Sequence, residues 1–199
     1  MRPDRAKECK GENMNIKGKK VILRAIERED LTLMKEMMNS SEIERLVVGW
    51  AFPISDYQQN QWYEANINNK TDLRFIIETP EDGAVGLATL TDIDWKNRSA
   101  FHGIKLADRK NRSKGIGTDT VMAIMRYAFD ELQLHRLDGA ILDYNEASRH
   151  LYCNKCGWSV EGTRRKYIYK GGEYHDLLLV GILKDEYEKL ISRTDYWRD

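Results

Sequence analysis

Asp108-Arg-Lys-Asn-Arg112-Ser-Lys-Gly115-Ile-Gly117-Thr-Asp-Thr-Val-Met-Ala-Ile-Met-Arg-Tyr-Ala-Phe129 decides how this chain folds. Two glycines stand one residue apart behind Arg109, Lys110, Arg112 and Lys114, and an amphipathic run follows at once. Val121, Met122, Met125, Ala128 and Phe129 fall on a single helical stripe, which predicts a helix over 117–131. Just upstream, Phe101-His-Gly-Ile-Lys-Leu106 belongs to a strand over 99–106. Strand, glycine-rich turn and helix together make a phosphate cradle. The glycines let the backbone approach a ligand, the first helical N–H groups point outward unpaired, and the helix dipole favours an anion there.

Outward from that stretch, the chain alternates short strands with helices. Lys20-Val-Ile-Leu-Arg-Ala-Ile26 is a first strand; Glu29-Asp-Leu31 opens a helix running to about Asn39, and a loop follows through Leu46–Pro53. Ser55 suits the N-cap of a helix over 56–68. Residues 73–78 and 84–93 form strands around Asp82-Gly83, a strong hairpin signal. Residues 136–142 form the next strand, 146–156 a short helix ended by Gly157, and 158–169 and 173–183 two long strands joined at Lys170-Gly-Gly172. A short helix over 184–193 closes the chain. The meander over 73–106 is antiparallel, whereas the strand–helix–strand step over 99–142 requires parallel pairing. The fold class is therefore α/β, a mixed sheet of six to seven strands with helices on both faces.

The 199 residues suffice for one domain with a sizeable core, placed here at 16–199 behind a mobile tail at 1–15, and Met14 is as suitable a start as Met1. A hydrophobic share of 41%, a charged share of 32% and zero net charge fit a globular protein and argue against one held on nucleic acid by bulk charge. No apolar run is long enough to cross a bilayer, and the charged start lacks a signal-peptide core, so a cytoplasmic protein without a membrane partner is expected. Three cysteines, an odd number, give no disulfide framework.

Four motifs resemble one family. Arg112-Ser-Lys-Gly115-Ile-Gly117 is similar to the acetyl-CoA pyrophosphate loop of the GCN5-related N-acetyltransferases, Gln/Arg-x-x-Gly-x-Gly/Ala. Asn145-Glu-Ala-Ser148-Arg-His-Leu-Tyr152-Cys-Asn-Lys-Cys-Gly157-Trp158 resembles the later signature Asn-x-x-Ala/Ser-x-x-x-Tyr-x-x-x-Gly-Phe. Trp158-Ser-Val-Glu161-Gly162 and Tyr174-His-Asp176 are similar to the branch holding ribosomal-protein alanine and spermidine acetyltransferases. The element order agrees over Lys20–Leu183.

The resemblance implies acetyl-CoA as co-substrate, lying where the strands 99–106 and 136–142 splay apart. Its pyrophosphate would rest on Arg112, Ser113, Lys114, Gly115, Ile116, Gly117 and Thr118. A bulge near Leu106, Ala107 and Asp108 would offer amides to the pantetheine arm, with Asn145 and Ser148 beside it. Tyr152 takes the general-acid position; Asn145, Ser148 and Tyr152 share one helix face by spacing. As plain helix residues, Asn145 is an N-cap and Tyr152 a packing side chain. The family's usual basic Glu falls on Phe101. His102 has a suitable intrinsic pKa of about 6.5, but neighbouring strand residues face opposite sides, which equally makes it a packed histidine.

The resemblance thus implies an N-acetyltransferase acting on a primary amine (a protein N-terminus, a polyamine or an amino sugar), as a monomer or homodimer. The alternative is a catalytically impaired acyl-CoA-binding module. Cys153-x-x-Cys156 has no second ligand pair to complete a zinc site, so no metal is expected. Trp50, Phe52, Trp62 and Tyr63 serve either as an acceptor wall or as core. Glu42, Glu44, Asp92 and Asp94 either attract a cationic amine or are solvated loop charges.

Overall fold

The computed structural model describes residues 14–49, 52–111 and 113–198. Residues 1–13 of the expected tail, together with Trp50 and Arg112, lie outside the described residues. Eight strands form one mixed sheet: β1 (Ile16–Lys17), β2 (Ile22–Arg24), β3 (Leu73–Thr79), β4 (Gly83–Asp94), β5 (Ser99–Leu106), β6 (Arg136–Leu142), β7 (Ser159–Lys170) and β8 (Glu173–Leu183). Their spatial order is β1-β2-β3-β4-β5-β6-β8-β7. The expectation of six to seven strands omitted β1, a two-residue strand paired with β2.

Helices α1 (Leu31–Met38), α2 (Ser41–Leu46) and α3 (Asp56–Asn66) precede the meander. α4 (Ile116–Arg126) follows β5, α5 (Glu146–Arg149) follows β6, and α6 (Lys184–Thr194) follows β8. α2 lies between the expected helix ending at about Asn39 and the loop expected over Leu46–Pro53, where no element was assigned. At six residues it is too short to show a periodic stripe, and its local marker is the Ser40 hydroxyl that accepts the Ile43 N–H. The larger core packs α4, the segment 151–158 and α6 on one face of the sheet through Val121, Met122, Met125, Phe129, Trp158 and Tyr187. A smaller cluster, Leu31, Met34, Tyr63 and Ile76, seats α1 and α3 on the other. That burial supplies the main favourable free energy of the fold.

Two departures from regularity shape the middle of the molecule. β5 and β6 pair in parallel only over Ser99–Phe101 with Arg136–Asp138. Beyond that they diverge, while β6 keeps pairing with β8 along its whole length. The second departure lies between Tyr152 and Gly157, one residue further apart than in the family signature. The chain takes up the extra residue as a π turn, His150–Lys155, in which the Cys156 N–H reaches back five residues to the Leu151 carbonyl at 3.1 Å. A second π turn, Tyr127–Glu131, continues α4.

One buried carboxylate ties both ends of the chain to α4. Asp119 accepts the backbone N–H of Lys19 at 2.9 Å, Lys20 at 2.6 Å and Val21 at 2.9 Å, and the Tyr196 hydroxyl at 2.8 Å. Gly18 must be glycine, since a Cβ there would overlap that carboxylate. Arg126 lies 3.8 Å from the centroid of the Trp197 ring and holds the same tail. Asp119→Ala leaves three N–H donors without an acceptor. It is expected to cost about 3 kcal/mol, a fall of roughly 6–12 °C in Tm by thermal denaturation; a change under about 2 °C would refute the anchoring role.

Candidate active site

The divergence of β5 from β6 opens a cleft of about 1050 Å³ running from the glycine loop to α2. Its floor is Ile104 and Leu106; one wall carries Ser113, Gly115, Gly117 and Thr118, the other Asn145 and Ser148. Gly115 is the N-cap of α4 at φ +84°, with no side-chain cap. The N–H groups of Ile116, Gly117 and Thr118 are therefore left for an anion. A Cβ on Gly117 would come within 3.3 Å of Leu151 and 3.6 Å of Ile104. In the same loop, Asn111 is buried with its Oδ1 unpartnered. This cradle fits a pyrophosphate.

Not all expected cofactor contacts gather there. Ile116 is 4% exposed and belongs to the core. Lys114 pairs with Asp82, and the Asp108 carboxylate accepts the Lys110 N–H inside the loop. The bulge expected late in β5 is absent: β4 and β5 stay in register from Leu106 back to Phe101, and the irregularity lies between Thr91 and Asp94. The Ala107 N–H is taken by the Val85 carbonyl at 2.9 Å. By strand alternation the Ile104 and Leu106 amides face the gap instead. Asn145 is used twice by the protein, capping the Ser148 N–H at 3.1 Å and donating to the Leu46 carbonyl at 2.9 Å.

The cleft also holds residues that the motifs did not point to. Lys19, Lys20 and Tyr196 line it beside the glycine loop. The Lys20 Nζ donates to the Lys114 carbonyl at 2.9 Å and stands beside Gly115. Lys20 reaches the loop from 95 positions away in sequence because Asp119 holds its backbone, a tertiary contact with no local signature.

His102 is corrected as a base. It is 2% exposed on the α4 face, its Nδ1–H donating to the Thr89 carbonyl at 2.8 Å and its Nε2 enclosed without a partner. Burial lowers its pKa to about 4, so the ring is neutral and turned from the cleft. Its ring neighbours are Tyr152 at 5.8 Å and Trp158 at 6.0 Å. Tyr152 is itself buried behind Leu151, which lines the cleft in its place. Burial, then Cys156, raises the tyrosine far above its ordinary range.

The remaining candidates resolve into structure. Cys156 is buried, its thiol pushed up to about 12 by burial, and Cys153 is raised for the same reason, so neither is a thiolate. Trp62 and Tyr63 line a separate cavity under α3, Trp62 beneath Arg74, while Phe52 is exposed. Glu44 pairs with Lys170, and Asp94 caps its own turn through Lys96 and Asn97.

Residues 20–159 match the family model described as the acetyltransferase (GNAT) domain. The chain belongs to the GNAT acetyltransferases, and acetyl-CoA is its co-substrate. It is 28% identical over 171 residues, 86% of this chain and 94% of the relative, to an uncharacterized prophage-derived N-acetyltransferase of Bacillus subtilis. It is 27% identical to the spermidine N(1)-acetyltransferase of Vibrio cholerae, covering 84% and 95% of the two chains. The structure of the Vibrio cholerae spermidine N-acetyltransferase with CoA and spermine superposes at a TM-score of 0.78, with 26% identity over 85% of this chain and 98% of that one.

Two outcomes are expected. Lys20→Met should raise the Kd for acetyl-CoA about fivefold in calorimetry at low salt; an unchanged Kd would remove Lys20 from the phosphate site. For His102 the native pKa lies below the unfolded value, so stability is full above pH 6.5 and falls as the unfolded chain takes the proton. The loss is about 2 kcal/mol between pH 7 and 5. Urea denaturation should show it in the wild type and not in His102→Gln; equal slopes would refute it.

Proposed function

We propose that this chain transfers the acetyl group of acetyl-CoA to a primary amine by direct attack, with a protein N-terminus, a polyamine or an amino sugar as the acceptor classes. The observation that carries this reading is the continuous cleft from a glycine-capped helix start to α2, through the gap where β5 leaves β6. Acetyl-CoA supplies the activated acyl group as a thioester. The loop 113–118 with Lys20 binds phosphate, and the Ile104 and Leu106 amides hold carbonyls along the gap. Amides preset there stabilise developing negative charge on oxygen.

Neither Phe101 nor His102 can accept the amine proton, so water in the cleft carries it out. Tyr152, at the general-acid position of the family signature, is the residue assigned as proton donor to the leaving thiolate: burial keeps it protonated at every physiological pH, and its hydroxyl has to reach the cleft past Leu151. A positioned acid is worth about 10²-fold or more. Tyr152→Phe should therefore lower kcat by one to two orders of magnitude with the Kd for acetyl-CoA within twofold. An unchanged kcat in a free-CoA release assay would exclude Tyr152 as the acid. Gly117→Glu should abolish binding; retained affinity would refute the cradle.

A further inference from the structure

The end of the cleft away from the glycine loop contains a cation, Lys105, that no carboxylate of the described residues pairs with. Lys105 lies on β5 next to Ile104, and the two point to opposite faces of the sheet. Ile104 packs on the α4 side, whereas Lys105 is in register with Leu87 and Ile76, on the side covered by α1. Lys105 lines the cleft together with Ile43, Leu46 and Val47 of the α2 region. Its Nζ has one close partner, the Met38 sulfur at 3.9 Å, a weak acceptor. Among the described residues no carboxylate lies within ion-pair distance. Asp72, just before β3, is taken by Arg74 at 3.0 Å, and Glu44 on α2 by Lys170. Arg74 adds a second positive charge to the surroundings of Lys105. A half-buried ammonium against an apolar shelf, with a thioether sulfur as its one close partner, is poorly compensated by the protein.

We propose that Lys105 recognises an anionic group, carboxylate or phosphate, carried by the amine that this enzyme acetylates. The proposal rests on the reading of the chain as an amine acetyltransferase and narrows its acceptor. An ammonium facing α1 is out of line with the glycine cradle, which has its own cation in Lys20. A polyamine would bring further positive charge beside Lys105, whereas an amino acid or an amino-sugar phosphate would bring the missing counter-ion. Burial and Arg74 both act to lower the pKa of Lys105, and an anion bound there would restore it.

The test compares acceptor pairs that differ in the anion alone: L-alanine with L-alaninamide, and glucosamine 6-phosphate with glucosamine, alongside spermidine. In free-CoA release, the wild type should favour one anionic member over its neutral partner at least tenfold in kcat/KM, with spermidine poorest. Lys105→Met should reduce that ratio at least fivefold with the Kd for acetyl-CoA within twofold, and Lys105→Arg should restore most of it. A preference for spermidine, or a ratio unmoved by Lys105→Met, would overturn the proposal.

The same pairs are also added to protein saturated with CoA, and the Tm is measured. Stabilisation by an anionic member that Lys105→Met removes supports the anion site even without turnover; its absence overturns it. Silence of every acceptor in the release assay counts instead against the acetyl-transfer reading, so the two failures are told apart.

Discussion

Four hydrogen bonds to one carboxylate hold the glycine-loop end of this enzyme's cleft together. Asp119 sits in the first turn of α4, where the helix dipole already favours a negative charge. It uses that position to gather the turn before β2 and the hydroxyl of Tyr196. Because the turn is held by its backbone, the side chains of Lys19 and Lys20 are free to line the cleft. The acid that satisfies three N–H groups is also what brings two ammonium groups to the mouth of the cleft.

The cleft itself is produced by a failure of pairing. β6 satisfies one edge fully on β8 and the other for three residues on β5. β5 in turn keeps its register with β4 to Leu106. The strands are each well anchored on their outer sides, so their separation opens a groove without loosening either half of the sheet. The tether from Asn145 and Tyr144 to the end of α2 then closes one side of it.

The element order and most boundaries were legible because the strands announce themselves by hydrophobic runs between turn residues, as at 136–142 and 173–183, both found with the expected limits. The glycine cradle was legible for the same local reason. What was not legible is what depends on distance or on register. Lys20 meets the loop only through tertiary structure. The π turn at His150–Lys155 is one residue of excess, invisible to a periodicity, and it decides how Leu151 and Tyr152 divide the space between cleft and core. His102 could be judged only once the strand's two faces were assigned; its neighbour Phe101 is the outward one.

Seen mechanically, a sheet joined across its middle by three residue pairs is two plates meeting at a seam. β1–β5 form one plate and β6–β8 the other, with α4 and the π turn His150–Lys155 packed across the joint. The amides that face the seam have no strand to pair with. A molecule that lies along it and offers carbonyls adds rungs where the ladder stops, and in doing so makes the two plates one. Rigidity across the centre of the molecule is therefore a property that the protein shares with its ligand, and protection of these amides from exchange with solvent reports on both.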